Sequence, residues 1–420
     1  MRFRFLPPAT VARLGWRGTV SLGLAALMLA GPSLAAASAG PSSAAPRTGP
    51  SAAVPWDRVR SGLPGSETGF SVAVSGSVAV ISAPGADEDS GVAYVYTHTA
   101  AGWHHEATIP APAGTVDDEF AWAVAVSSTS EGTYVAIGGR NQKTSGRSFV
   151  YIYQNSGTKW RQVAAIGDPN RHSDGGDLFG SSLAITDSVL VIGAPWANSM
   201  SGISYIYEHE GPIWLLKATK PDPLDRMGDL FGQSVAAAGS NVVVNVYDAA
   251  YLYVHQAGRG WPKATVLHNP DAPKNLFGQT VALTGDMAMV GAPNSDSSGA
   301  PVYSSTGAVY VYKKTGTSWK LSQELTPPAA VRGNHFGDSI AVSGAGLLIG
   351  MPTYGSPNCG TAFLFGLSDG TWREQRQIAD PGCTPGDKFG FSVAASGTAG
   401  VVGAPFAGHG SGAFYFRPLS

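Results

Sequence analysis

A Phe-Gly pair, followed sixteen residues after its Phe by the Pro of a Gly-Ala-Pro, recurs along this chain and restricts its fold more than any other feature. The stretch 177–195, DLFGSSLAITDSVLVIGAP, is matched by LFGQTVALTGDMAMVGAP at 276–293 and KFGFSVAASGTAGVVGAP at 388–405. Between the two ends lie two apolar runs separated by a short polar turn, so the segment reads as one tight β-hairpin. The Pro ends the second strand because it cannot donate to a ladder, and the small Gly and Ala allow a neighbouring backbone to come close.

The register repeats seven times, anchored at Thr68, Phe120, Phe179, Phe231, Phe277, Phe336 and Phe389, at intervals of 52, 59, 52, 46, 59 and 53 residues. Each unit then supplies a third run (GVAYVY, SFVYIY, GISYIY, AAYLY, GAVYVY, GTAFLF, GAFYF). After the first six of these a Trp opens a fourth run: Trp103, Trp160, Trp214, Trp261, Trp319 and Trp372. With 55 Gly, 29 Pro and only 13% charged residues, composition favours short strands and tight turns. Four strands per unit and a period near 50 predict an all-β, seven-bladed β-propeller of four-stranded blades. The seventh unit lacks its fourth strand, and PWDRVRSGLPG, starting at Pro55, resembles the missing piece. An N-terminal strand is therefore expected to close the ring.

Residues 1–39 read as a secretory signal peptide: Arg2, Arg4, Arg13 and Arg17, then VSLGLAALMLAG, then Ala37-Ser38-Ala39 as the cleavage pattern. Residues 40–55 are small and Pro-broken, a flexible lead without a core. The propeller is expected over 56–420. Removing the signal leaves 23 basic against 29 acidic residues, −6, which argues against a nucleic-acid partner. The expected product is secreted, monomeric and without a membrane span. Both cysteines, Cys359 and Cys383, lie in the exported part, where an oxidising compartment favours a disulfide.

The seven registered copies resemble the FG-GAP repeat family, whose blades also form the propeller of integrin α-subunits, and the resemblance spans residues 56–420. Calcium-holding blades of that kind carry Asp-x-Asp-x-Asp-Gly between the first and second strands. The turns here, such as VSGSV, TDSV and SGTA, are too short for several oxygen ligands. No metal site and no cofactor is expected.

In a propeller the fourth-to-first and second-to-third connections share one face, and here they are the long, variable ones. They are acidic, with Asp87, Glu88, Asp89, Asp117, Asp118, Glu119, Asp174, Asp177, Asp225 and Asp229, in keeping either with a cation or basic partner or simply with good turn residues. They are also aromatic where the repeat leaves the residue free: Phe70, Trp122 and Phe391 after the Phe-Gly position, Trp196 and Phe406 after Gly-Ala-Pro. These five are the candidate ligand-binding residues, with packing between blades as the competing role. The nine His lack metal-ligand spacing, and no nucleophile elbow is present. The expected function is a secreted, non-catalytic binding or adhesion module that presents its loop face to an extracellular glycan or protein. The alternative is a polysaccharide-acting hydrolase or lyase using the acidic loops.

Overall fold

The computed structural model describes residues 57–60 (backbone), 64–112, 119–139, 148–155, 157, 159–170, 176–270, 276–294, 306–328, 333–344, 346–353 and 358–419. The signal-peptide and lead readings, Trp56, Asp117, Asp118 and Asp174 lie outside the described residues. Among the described residues, seven four-stranded antiparallel sheets account for all strands. Blades 1 to 6 span 72–110, 123–167, 182–221, 235–268, 280–325 and 339–379; blade 7 spans 392–418 and takes Asp57–Arg60 as its outermost strand. That strand lies antiparallel to Ala413–Pro418, with Asp57 opposite Phe416 and Arg60 opposite Ala413, so the N-terminal strand closes the ring as its sequence indicates.

Blade 3 shows how the repeat builds a sheet. Ser182–Ile185 turns over Thr186-Asp187-Ser188 into Val189–Ala194, where every residue is buried; Ile203–Glu210 follows, and Ile213–Pro221 forms an outer strand that alternates toward solvent. The second strand is apolar throughout because neighbouring sheets cover both its faces. The third and fourth strands slip register by one residue at Ile206/Tyr207, and the same bulge recurs at Val95/Tyr96, Ile152/Tyr153, Val311/Tyr312 and Leu364/Phe365. Such bulges add twist at the exposed rim.

The Phe-Gly position packs within its blade and between blades. Phe179, Phe231, Phe277, Phe336 and Phe389 are buried and meet third-strand rings, as Phe179 does Tyr205 at 5.5 Å and Phe389 does Tyr415 at 5.0 Å. At several boundaries the Gly supplies the seam: its carbonyl accepts a hydroxyl from the first strand of the preceding blade, Ser182 Oγ to Gly232 O at 2.7 Å, Thr280 Oγ1 to Gly337 O at 2.7 Å and Ser339 Oγ to Gly390 O at 2.8 Å. The Gly of Gly-Ala-Pro lies against the same carbonyl, and a Cβ on Gly193 would sit 1.9 Å from Gly232 O. Between blades 7 and 1 the seam is identical in kind, with Ser392 Oγ donating to Gly69 O at 2.8 Å. The sixteen-residue Phe-to-Pro spacing thus holds the two seam glycines of a blade, such as Gly180 and Gly193, at a fixed separation.

Candidate functional site

First strands of successive blades lie against one another around the ring, so the residues just before them border the central mouth. Each is held by one recurring turn. In all seven blades the residue before the Phe (or Thr68) has φ between 48° and 58°: Glu67, Glu119, Leu178, Leu230, Leu276, His335 and Lys388. Its carbonyl accepts the N–H three residues on, from Phe70, Trp122, Ser181, Gln233, Gln279, Asp338 and Phe391, at 3.0–3.2 Å. The intervening Gly has φ of 88–93°, the third position of a type II turn, and Ala121 takes φ 65° in blade 2.

Four of the five candidate aromatics come together at this mouth. Phe70 meets Trp122 at 4.4 Å and Phe391 at 5.1 Å between ring centroids, and Phe391 meets Phe406 edge-on at 5.9 Å. Phe70 and Trp122 are only 8% exposed, so most of their surface is spent on blade packing, while Phe391 and Phe406 are half-buried. Lys388 Nζ stands 5.0 Å over the Phe406 ring. Burial pushes the Lys388 ammonium down, opposed by Asp338; burial pushes the Asp338 carboxyl up, opposed by His335 and Lys388. Gln279 Nε2 donates to Asp338 Oδ1 at 2.9 Å. On the opposite flank Glu67 is raised by burial, then by the charges of Glu119 and Asp89. The mouth therefore has an aromatic arc on blades 7, 1 and 2, and an arc of Ser181, Gln233, Gln279 and Asp338 on blades 3 to 6.

Trp196 does not belong to that arc. It stands on blade 3, 39% exposed, at the entry to a tight turn that the sequence reading did not anticipate. Asn198, Ser199 and Met200 are left-handed in succession (φ 51°, 59° and 64°), and the turn closes by Gly202 N–H donating to Ala197 O at 3.0 Å. Blades 1 and 7 repeat it at Ala86–Asp89 and Ala407–Gly410. The shared pattern, APGADEDSG, APWANSMSG and APFAGHGSG, could have revealed it. The blade 3 turn is laced to the loop entering blade 4: Gly228 and Leu230 N–H both donate to Met200 O at 3.1 Å, and Ser201 Oγ donates to Asp225 Oδ1 at 3.1 Å. Leu224 and Met227 on that loop are exposed, as are Trp196 and Met200. Half of the eight exposed large apolar side chains of the described residues are these four.

The acidic loops are organised inward as well as outward. Asp222 and Asp229 are buried and cap their own loop, Asp222 accepting the N–H groups of Leu224 and Arg226, Asp229 the guanidinium of Arg226 at 2.8 Å. Asp177 accepts Asn170 Nδ2 at 2.7 Å, and Asp380 accepts Gly382 N–H and the Tyr415 hydroxyl. Asp387 accepts Thr384 N–H at 2.9 Å, and its carboxyl is raised chiefly by burial. The Cys359–Cys383 disulfide, with Cα atoms 5.4 Å apart, ties the second-to-third connection of blade 6 to this last loop. Among the described residues no three of His, Cys, Asp or Glu form a group that could hold a metal ion, and no helix is long and apolar enough to cross a membrane.

A family model described as FG-GAP repeat matches residues 62–96, 263–312 and 372–416. Those stretches fall on blade 1, on the passage from blade 4 into blade 5, and on blades 6 and 7. A search of curated proteins returns no match to the chain.

Proposed function

We propose, from a seven-bladed propeller in which three stretches match the FG-GAP repeat model, that this chain is a secreted, non-catalytic binding or adhesion module whose loop face engages an extracellular partner, a protein in preference to a glycan. The observation that carries the reading is the blade 3 to blade 4 region, where Trp196, Met200, Leu224 and Met227 are all exposed. The equivalents of Trp196 in the other two left-handed turns are Gly85 and Phe406, and those of Met200 are Asp89 and Gly410. Exposed apolar side chains gathered on two hydrogen-bonded loops suit an interaction site. Trp is prominent among residues that dominate protein interfaces, and Met adapts to varied partner surfaces. Phe391, Phe406 and Lys388 at the mouth extend the contact surface, with Phe70 and Trp122 as its packed floor.

The test is capture from a panel of immobilised extracellular proteins and a glycan array by wild-type protein, Trp196→Ala and Met227→Ala. The expected result is binding to a protein target that each substitution weakens about fivefold or more, corresponding to roughly 1 kcal/mol per anchor. Full retention of binding by both variants would move the site elsewhere. Cleavage of a polysaccharide by the purified chain would replace the module with the hydrolase or lyase alternative.

A further inference from the structure

The described residues contain five methionines, and their exposures divide sharply. Met227 is 78% exposed and Met200 43%, whereas Met287, Met289 and Met351 are buried in second strands of blades 5 and 6. Both lie on hydrogen-bonded neighbouring loops, since the N–H of Gly228, the residue after Met227, donates to Met200 O. Neither is required by the fold. The left-handed turn that presents Met200 is made with Asp89 in blade 1 and Gly410 in blade 7, and Met227 sits on a loop whose residues 223–228 are all exposed. The only two cysteines of the chain are joined to each other, so no thiol competes for an oxidant.

We propose that Met227 and Met200 form an oxidation site that switches the docking patch off, with a hydroperoxide as the oxidant. A lone pair on Sδ attacks the terminal peroxide oxygen and the O–O bond breaks. The departing oxygen takes up the remaining proton, so that hydrogen peroxide is reduced to water while the thioether gains one oxygen as a sulfoxide. Each event replaces a soft apolar group by a strong hydrogen-bond acceptor that must be hydrated. Oxidation of both leaves Trp196 and Leu224 as the patch's apolar members, now flanked by two polar groups. The change is reversible, because methionine sulfoxide is a substrate for dedicated reductases. The loss of docking rests on the function proposed above; the site of oxidation does not.

The test treats the purified exported chain with hydrogen peroxide and follows each methionine by peptide mapping and the whole protein by retention on a phenyl column. Sulfoxide is expected at Met227 and Met200 about tenfold or more faster than at Met287, Met289 and Met351, whose sulfur atoms react only when their strands open. Retention should fall as the two sulfoxides form and return after treatment with sulfoxide reductases. The double variant Met200→Leu, Met227→Leu should keep its retention throughout. Equal rates at buried and exposed methionines, or unchanged retention with both sulfoxides present, would overturn the proposal. Selective oxidation with a fall in retention, combined with Trp196→Ala and Met227→Ala proteins that both still capture every partner, would instead sink the docking reading and leave the oxidation site standing.

Discussion

Substituting Gly403 by Ala tests whether the ring is closed by the same contact that joins its other blades. A Cβ at Gly403 would lie 2.1 Å from Gly69 O and 2.3 Å from Ser392 Oγ; at Gly193, between blades 3 and 4, the corresponding distances are 1.9 Å to Gly232 O and 2.2 Å to Ser182 Oγ. Neither glycine has a left-handed φ, so the alanine costs nothing through backbone strain and acts only through the clash. Forcing a methyl group into a packed contact costs about 1–3 kcal/mol. Displacing the Ser hydroxyl from its carbonyl adds about 1 kcal/mol. With an unfolding entropy near 2.1 cal/mol/K per residue over roughly 360 residues, a loss of about 2–4 kcal/mol lowers Tm by about 3–5 °C. Thermal scans of Gly403→Ala, Gly193→Ala and wild type at one scan rate provide the comparison. The two variants should fall together. A silent Gly403→Ala beside a destabilised Gly193→Ala would mean that blades 7 and 1 are not packed as the other seams are, and ring closure would fail as an account of this fold.

Trp122→Ala should destabilise by about 3–5 kcal/mol, as for a large ring removed from a packed site, whereas Trp196→Ala should stay within about 0.5 kcal/mol of wild type; denaturant midpoints decide, and equal losses would erase the distinction between floor and patch. Cys359→Ser with Cys383→Ser should cost about 3 kcal/mol, from the closure entropy of a 24-residue separation, and two free thiols in unreduced peptide maps would refute the pairing. Asp387, buried and raised above the ordinary Asp value of 3.8, binds its proton more tightly folded than unfolded. Its contribution is therefore full below that value and is lost as pH rises through the folded pKa. Asp387→Asn should accordingly lose less stability than wild type as pH is raised from about 4 toward neutrality, and parallel urea midpoints across that range would contradict the assignment.

The fold was legible because its rules are local and recur seven times. The Phe-Gly turn, the buried second strand and the closing N-terminal strand each leave a mark at a fixed distance in sequence, and the Cys359–Cys383 pairing follows from the face their connections share. The five aromatics were legible as positions and not as environments. Phe70 and Trp122 face each other across a blade boundary, and Phe70 also meets Phe391 of blade 7, a contact that no single repeat encodes. Trp196 opens a left-handed turn, a conformation hidden in Asn198 and Ser199 unless blades 1, 3 and 7 are aligned on Ala-Pro-x-Ala. Leu224 and Met227 carry no repeat signal at all. Their loop is tied to that of Trp196 and Met200 by hydrogen bonds to Met200 O and from Ser201 Oγ to Asp225, the kind of contact that periodicity cannot register.

The pairing of Asp57–Arg60 with Ala413–Pro418 also determines how the molecule responds to force. Because Asp57 lies opposite Phe416 and Arg60 opposite Ala413, both chain ends leave this strand pair from the same side. Tension applied between the two ends would load the ladder one rung at a time and open it like a zipper, where a shearing pull would engage all four residues at once. Blade 7 would yield first, and with it the carbonyl seam to blade 1. Tension between one end and a partner bound on the loop face bypasses that weakness, since the two strands are then not drawn apart by their free ends.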